Sequence, residues 1–131
     1  ILVSIDKDFC TIPETWFYDY KKNKLMYNSV KDADYFFYTQ CIKGDSCDNY
    51  TGIRGYADVK TRKLFDANGA TWKTVLKAYK DNGYTEEYAN QQACVARILR
   101  HGEYNNGIIK LFKSNNGVER IDTNEMQSFC R

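Results

Sequence analysis

The sequence has few of the side chains on which common catalytic and metal-binding motifs depend. It holds one histidine (His101), one proline and no Cys-x-x-Cys pair, and it lacks G-x-S-x-G, H-E-x-x-H and phosphate-loop motifs. Zinc sites use closely spaced Cys and His ligands, and general acid–base catalysis commonly uses a histidine. Glu86 and Glu87 are adjacent and face different ways on a helix. We therefore expect no enzyme, no metal site and no cofactor.

The chain also lacks a strong charge of either sign and any long apolar run. Its 131 residues include 19 Lys and Arg against 17 Asp and Glu, a net charge of +2. Dedicated nucleic-acid binders usually show a clear basic excess, and a membrane span needs about 20 apolar residues. The composition therefore predicts no nucleic-acid partner and no membrane partner. The length suits a single domain over residues 1–131.

Five cysteines and a glycosylation triplet indicate a secreted, extracellular protein. The cysteines are far apart except for Cys41 and Cys47, a pattern that favours disulfides in an oxidising compartment. Asn49-Tyr50-Thr51 is an N-glycosylation signal at Asn49. The start at Ile1 has no Met and no basic segment, so we expect a mature chain from which a leader has been removed.

Helix signals recur along the chain and predict an all-α fold, a compact bundle of five to six short helices in one secreted domain. Thr11 starts a helix over TWFYDYKKNKL, and Ser29 starts one over VKDADYFFYTQCIK. ATWKTVLKAYKDNG has helical apolar spacing, and Thr85 caps EEYANQQACVARILRH, which ends at Gly102. Weaker helices follow over EYNNGIIKLFKSNNG and from Asp122 to Cys130. Residues 48–69 form a long connection, with room for a short helical or extended piece around Tyr56 to Leu64.

The positions of the cysteines favour a particular pair of disulfides. Bridges Cys10–Cys47 and Cys41–Cys94 would tie three consecutive predicted helices together and leave Cys130 as a free thiol. Each bridge would close a long loop and stabilise the fold by roughly 3–4 kcal/mol. Four cysteines allow three pairings, so other schemes stay open. With Cys130 left over, we expect a monomer with a minor dimer through that thiol.

The middle of the chain carries a family resemblance. Thr39-Gln40-Cys41, Cys47 and TGIRGYADVKTRKLFDA (51–67) are similar to the first domain of the long salivary odorant-binding-like proteins of mosquitoes. In that domain a cysteine pair is followed by Thr-Gly-Leu/Ile, a Tyr and a basic stretch ending in Phe-Asp-Ala. EEYANQQACVARIL and the terminal QSFC occur in a similar order. The resemblance implies a disulfide-bonded, all-helical, non-enzymatic salivary protein.

The function expected from this resemblance is sequestration of a host mediator, such as a small amine or lipid, to counter host haemostasis or innate immunity. Aromatic and aliphatic side chains on the predicted helices are candidates for lining a ligand pocket. These candidates are Trp16, Tyr20, Phe37, Trp72, Tyr79 and Leu99. The same side chains also suit an ordinary core, and their spacing does not separate the two interpretations.

The alternative function is inhibition of a host plasma protein, such as a complement or clotting factor or a platelet integrin. Exposed aromatic and basic residues are typical of binding hot spots. The candidates for such a surface are Tyr56, Lys60, Arg62, Lys63 and Phe65. Lys43-Gly44-Asp45, between two cysteines, is a candidate integrin-type loop, and chance occurrence of this tripeptide is the competing explanation.

Overall fold

The computed structural model describes residues 1–113 and 119–122, and for the second range only the backbone. These residues form four α-helices and two three-stranded sheets. The helices are α1 (Val30–Lys43), α2 (Asp58–Asn68), α3 (Trp72–Asp81) and α4 (Glu86–Ala96). The strands are β1 (Leu2–Val3), β2 (Thr15–Asp19), β3 (Lys24–Asn28), β4 (Tyr104–Asn105), β5 (Ile108–Leu111) and β6 (Glu119–Asp122). A 3₁₀ helix spans Lys7–Thr11.

The first predicted helix is a β-hairpin. β2 and β3 pair antiparallel, and β1 joins β2 in parallel. Along β2, Phe17 is buried while Trp16 is 48% exposed, which is the two-residue alternation of a strand. The turn between the strands needs a left-handed residue, and Asn23 supplies it with a φ of 51°. The predicted helix is therefore wrong, because the aromatic residues were assigned a helical period where the strand has a two-residue period.

The helix predicted after Ser29 is confirmed. Ser29 Oγ accepts a hydrogen bond from Asp32 N, and the Asp32 carboxylate accepts one from Ser29 N, a reciprocal cap at the start of α1. Gly44 ends the helix with a φ of 73°, and its N–H donates to Gln40 O. Because α1 is buried along Ala33, Phe37 and Cys41, it is the central helix of the core.

The helices predicted around Trp72 and after Thr85 are also confirmed as α3 and α4, but α4 ends before Gly102. It stops at Ala96, and Arg97 has an extended backbone. Past that point the chain turns back on itself. The Arg97 guanidinium pairs with Glu103, and the Glu103 carboxylate also accepts from Arg100 N at 2.9 Å. Arg100 in turn reaches Asp34 on α1 at 2.7 Å.

EYNNGIIKLFKSNNG forms strands where a helix was predicted. β4 and β5 are joined by Asn106 and Gly107, both with positive φ, and β6 pairs with β5. Asn-Gly is the preferred pair for a two-residue hairpin turn. The residues after Asp122, including the last predicted helix and Cys130, lie outside the described part of the chain.

The all-α, disulfide-stapled fold is therefore wrong: the protein is an α/β protein. Among the described residues no disulfide occurs, and Cys10–Cys47 and Cys41–Cys94 are not bonded. Cys41 is completely buried, and this burial raises the pKa of its thiol. Cys94 Sγ donates to Phe112 O at 3.3 Å, while Cys47 lies in an exposed loop. A contiguous apolar core, and not the two predicted disulfides, therefore stabilises the fold.

That core lies where the four helices meet, and its centre is the least exposed part of the described chain. Its largest members are completely or almost completely buried. They are Phe37, Ile42, Ile53, Phe65, Val75 and Tyr79. None of the helices among the described residues has the length and apolar character needed to cross a membrane.

The loop from Gly44 to Ala57 is held against the end of α1 by two glycines. A Cβ on Gly52 would lie 2.4 Å from Ile42 O, and one on Gly44 would lie 2.4 Å from Thr51 C. Both glycines also have positive φ. Ile53 N donates to Ile42 O at 2.7 Å across this contact. Only residues without a side chain permit the two backbones to come so close.

We expect Gly52→Ala to destabilise the protein by roughly 3 kcal/mol, because the left-handed strain is added to a clash with backbone that cannot give way. Gly55→Ala is the matched control. Its φ is +85°, but nothing lies within 4 Å of the added Cβ. It should cost only about 1 kcal/mol. Urea unfolding of both variants measures the difference, and equal costs would show that the close approach is unimportant.

Candidate metal centre

Three carboxylates from distant parts of the chain meet at the surface beside the end of α1. One carboxylate oxygen from each of Asp8, Asp45 and Asp48 lies within 4.8 Å of the others. Asp8 and Asp45 are partly buried, whereas Asp48 is exposed. We refer to these three residues as the acidic cluster. Like charges held this close repel one another, so some interaction must hold the cluster together.

Asp8 is held in place by the 3₁₀ helix and by α1. Asp6 caps the 3₁₀ helix, since its carboxylate accepts from Asp8 N at 3.0 Å. Gln40, a buried residue of α1, donates from Nε2 to Asp8 Oδ1 at 2.6 Å. Gln40 Oε1 accepts from the Tyr50 hydroxyl at 2.6 Å. Each polar group in this series of hydrogen bonds has a partner. The bonds therefore hold the Asp8 side chain on the side that faces the core.

Asp45 is fixed by the backbone of the loop after α1. Its N–H donates to Tyr50 O at 2.8 Å, and its carbonyl accepts from Tyr50 N at 3.1 Å. The carboxylate accepts from Cys47 N at 2.8 Å, a local turn typical of aspartate. This turn directs the chain so that Asp48, three residues later, returns to the same place. The close approach of Gly44 and Gly52 holds the base of this loop.

Hydrogen bonds and neighbouring charges shift the pKa values of two carboxyl groups of the cluster in opposite directions. A hydrogen bond with Lys7 lowers the pKa of Asp45, and the loop N–H groups act in the same direction. A hydrogen bond with the Asp8 carboxyl raises the pKa of Asp48, with desolvation and the negative charges of Asp8 and Asp45 adding to the effect. Asp48 thus holds a proton more strongly than an ordinary aspartate.

Lys7 neutralises part of the cluster. Its ammonium group contacts the Asp45 carboxylate and lies 3.2 Å from Asp8 Oδ1. The hydrogen bond to Asp45 raises the pKa of Lys7, against the lowering effect of burial. Lys7 therefore stays protonated at neutral pH and supplies one positive charge to three carboxylates.

The donor set fits a hard divalent cation. Mg²⁺, Mn²⁺ and Ca²⁺ prefer carboxylate oxygens at roughly 2.0–2.6 Å, so two oxygens on one ion lie up to about 5 Å apart. The spacing of 4.8 Å in the acidic cluster meets this limit. The Asp8 carboxyl and the nearby negative charges raise the pKa of Asp48, so added positive charge would be favourable at the cluster. Asp8, Asp45 and Asp48 are the residues that would hold the ion.

A cavity of about 480 Å³ adjoins the acidic cluster. It is lined by Lys7, Lys43, Gly44, Asp45, Ser46, Tyr50 and Thr51. Lys43 is the last residue of α1, and its ammonium lies 2.8 Å from Asp58 in the first turn of α2. Lys43 therefore both lines the cavity and contacts the first turn of α2.

Further basic side chains follow on α2. Arg62 and Lys63 are exposed, and the Lys60 ammonium lies 3.9 Å from the centre of the Tyr56 ring. Ala57, at the start of the helix, provides no side-chain cap for its first N–H groups. Arg62 thus lies about one turn along α2 from Asp58, the partner of Lys43.

The structure does not bring the six pocket candidates together. Phe37 and Tyr79 are core residues, and Trp72 packs against that core. Trp16, Tyr20 and Leu99 are at least 38% exposed. Trp16 lies on the outer face of the first sheet, where its ring centre is 5.3 Å from that of Tyr27. The cavity beside the acidic cluster is lined by other residues.

The surface candidates have mixed positions. Lys60, Arg62 and Lys63 are exposed on α2, Tyr56 is half-buried, and Phe65 is in the core. In the proposed integrin-type loop, Gly44 is buried and Lys43 is paired with Asp58.

Asp45 of that loop belongs to the acidic cluster and contacts Lys7. Glycosylation of the exposed Asn49 and secretion of the protein stay predictions. The proposed free thiol and dimer contact at Cys130 lie outside the described residues.

The sequence interpretation missed the acidic cluster because it searched for metal ligands among histidine and cysteine. The available signal was a pair of carboxylate motifs, Asp6-Lys7-Asp8 and Asp45-Ser46-Cys47-Asp48. Carboxylates alone are sufficient ligands for Mg²⁺ and Mn²⁺. Their meeting in space had no sequence signal, because the two motifs are far apart along the chain.

Comparison with known proteins finds two phage nucleases homologous to this chain. An exodeoxyribonuclease of Enterobacteria phage T3 is 27% identical over 135 residues, and an exonuclease of Escherichia phage T7 is 31% identical over 135 residues. Each match covers 80% of this chain and 45% of the relative. The chain thus spans about half the length of the curated relatives it matches. No family model and no solved structure matches it.

These homologues overturn the functional expectations drawn from the sequence. The resemblance to salivary odorant-binding-like proteins is wrong, since the homologues are exonucleases. The non-enzymatic effector that sequesters a host mediator, the alternative of a host-protein inhibitor and the absence of enzymatic activity are wrong for the same reason. So is the absence of a nucleic-acid partner. The near-zero net charge misled because it averages over the whole chain, whereas charge at a site is local.

The raised pKa of Asp48 predicts that cation binding weakens as the pH falls. A cation must displace the proton on Asp48, so apparent affinity should decrease as the pH approaches that raised pKa, above the ordinary value of 3.8. Asp45, with its lowered pKa, stays ionised over this range.

Calorimetric titration with Mn²⁺ at decreasing pH measures this effect. Asp48→Asn should bind Mn²⁺ more weakly at neutral pH but lose less affinity on acidification. An equally steep pH dependence in the variant would show that another group carries the proton.

Proposed function

We propose that this chain carries the metal site and part of the nucleic-acid-binding surface of a divalent-cation-dependent exonuclease acting on DNA. The observation that carries the proposal is the meeting of Asp8, Asp45 and Asp48 in a chain homologous to two phage exonucleases. An acidic cluster alone is common on protein surfaces. In a nuclease homologue, its spacing and its donor set of carboxylates support a role in binding a catalytic cation.

A divalent ion held by the cluster would polarise a phosphate oxygen and favour ionisation of a water molecule. The chain's own residues prepare the place for it. Gln40 and Tyr50 fix Asp8, while the turn at Cys47 fixes Asp45. Such fixed positions favour catalysis because the ligands need no reorganisation when the ion and substrate bind.

The basic side chains of α2 support DNA as the substrate. Arg62 and Lys63 are exposed, and the uncapped start of α2 lies beside the cavity next to the cluster. Cations and helix N-termini bind backbone phosphates without reading the sequence. A phosphodiester strand lying along α2 would therefore enter the cluster from this side. The predicted recognition role of Arg62 and Lys63 is thus assigned to DNA.

We expect Asp45→Asn to reduce DNA cleavage by at least roughly 100-fold, because removing even a supporting group at a metal site commonly costs 10–100-fold. Cleavage of an end-labelled DNA with Mg²⁺ or Mn²⁺ measures this. Asp66→Asn, an exposed carboxylate on α2, is the matched control and should keep wild-type activity. Equal cleavage in chelator, or wild-type cleavage by Asp45→Asn, would contradict the proposed metal site.

We expect the double substitution Arg62→Glu, Lys63→Glu to weaken DNA binding by roughly tenfold or more. Losing two phosphate contacts should also reduce the slope of log affinity against log salt by about 1.5. Fluorescence anisotropy in Ca²⁺ at several salt concentrations measures both.

Lys31→Glu is the control, since Lys31 is exposed in the first turn of α1 and lies about 18 Å along that helix from Lys43. If the control loses as much affinity as the double variant, the effect is one of overall charge and α2 is not the binding surface.

A further inference from the structure

Lys7 occupies the position that a bound cation would need. It lies between Asp6 and Asp8 in sequence, and its ammonium contacts Asp45 and approaches Asp8. Its side chain is nevertheless 57% exposed, whereas that of Asp45 is only 11% exposed. The carboxylate is therefore fixed in the protein, while the lysine reaches it from the solvent side on a flexible stem.

An ammonium group and a divalent ion cannot both use the same carboxylate oxygens. Two such cations a few ångströms apart repel each other, and the divalent ion has the larger attraction for carboxylates. Exposed ion pairs such as those of Lys7 contribute little to stability, because water screens them. A divalent cation therefore gains more from the cluster than Lys7 loses by leaving it.

The ammonium group of Lys7, once displaced, can move into the adjoining cavity. The adjoining cavity of about 480 Å³ is lined by Lys7 itself, Lys43, Gly44, Ser46, Tyr50 and Thr51, and by Asp45, whose negative charge a bound cation would neutralise. The ammonium group of Lys43 has three donors, of which the Asp58 carboxylate accepts one. Two lysines flanking polar groups suit an anion, and in a nuclease the available anion is the phosphate of the strand.

We propose that Lys7 is a built-in counter-cation of the acidic cluster, and that a divalent ion displaces its ammonium into the adjoining cavity, where it binds a DNA phosphate. This inference rests on the proposed function, because it assumes both a cation in the cluster and DNA beside it. It adds a phosphate-binding subsite, lined by Lys7 and Lys43, that becomes available once the cation is bound. The cation would then promote DNA binding as well as chemistry.

The first test measures cation binding without DNA. In calorimetric titrations with Mn²⁺, Lys7→Met should bind the ion roughly fivefold more tightly or better than wild type, because no ammonium has to be displaced or repels the ion. Lys7→Arg keeps the charge and should bind like wild type. Lys22→Met removes a lysine that pairs with Asp19 rather than with a member of the cluster, and should change nothing. Unchanged or weaker Mn²⁺ binding by Lys7→Met would overturn the counter-cation role.

The second test measures DNA binding in Ca²⁺. Lys7→Met should bind a short DNA more weakly than wild type, and its slope of log affinity against log salt should be smaller by about 0.7–0.9, the value of one phosphate contact. Lys22→Met should keep the wild-type slope. A wild-type slope in Lys7→Met would overturn the phosphate subsite.

Two outcomes separate this inference from the proposed function. If wild-type protein binds no Mn²⁺, the metal centre itself is wrong and the role of Lys7 is wrong with it. If wild type binds Mn²⁺ and cleaves DNA while Lys7→Met binds Mn²⁺ no more tightly, only the role of Lys7 is wrong. If Lys7→Met does not fold, Lys7→Gln in the same titrations gives the same discrimination.

Discussion

The close approach of two backbone segments, at Gly44 and Gly52, is the constraint on which the site depends. It holds the loop after α1 against the end of that helix, with Ile53 N bonded to Ile42 O. The backbone pair between Asp45 and Tyr50 closes the loop above it. As a result, Asp45 and Asp48 are fixed relative to a buried helix although they lie in a surface loop. Any side chain at either glycine would separate the loop from its support.

Hydrogen bonds between buried polar groups connect the core with the acidic cluster at the surface. The Tyr79 hydroxyl donates to Cys41 O at 2.5 Å within the core. Gln40, the residue before Cys41 on α1, links the Tyr50 hydroxyl to the Asp8 carboxylate. An unpaired polar group at such depth would cost about 1–3 kcal/mol, so each member favours one arrangement of the others. The acidic cluster is in this way supported by the core, while Lys7 and Asp48 lie on its solvent-exposed side.

Local sequence signals predicted the secondary structure correctly where only one local structure fits them. The Ser29–Asp32 cap and the Thr85 start are interactions within a few residues, and the structure has both. Prediction failed where two structures were locally acceptable. The aromatic residues around Trp16 fit both a helix and a strand, and their pairing with β3 decided the outcome. At Asn106 and Gly107 a hairpin signal was present but was outweighed by a weak helical pattern.

The sequence by itself determined three of the helices, their caps and the basic character of the segment that became α2. It could not determine the acidic cluster. Lys7 and Asp45 are 38 residues apart, and they meet only because α1 and the Gly44–Gly52 contact bring the two segments together. It also could not decide that the four cysteines in the described part of the chain stay unbridged, because the burial of Cys41 follows from packing. Contacts distant along the chain depend on the whole core, so only the tertiary structure decided where the charges lie.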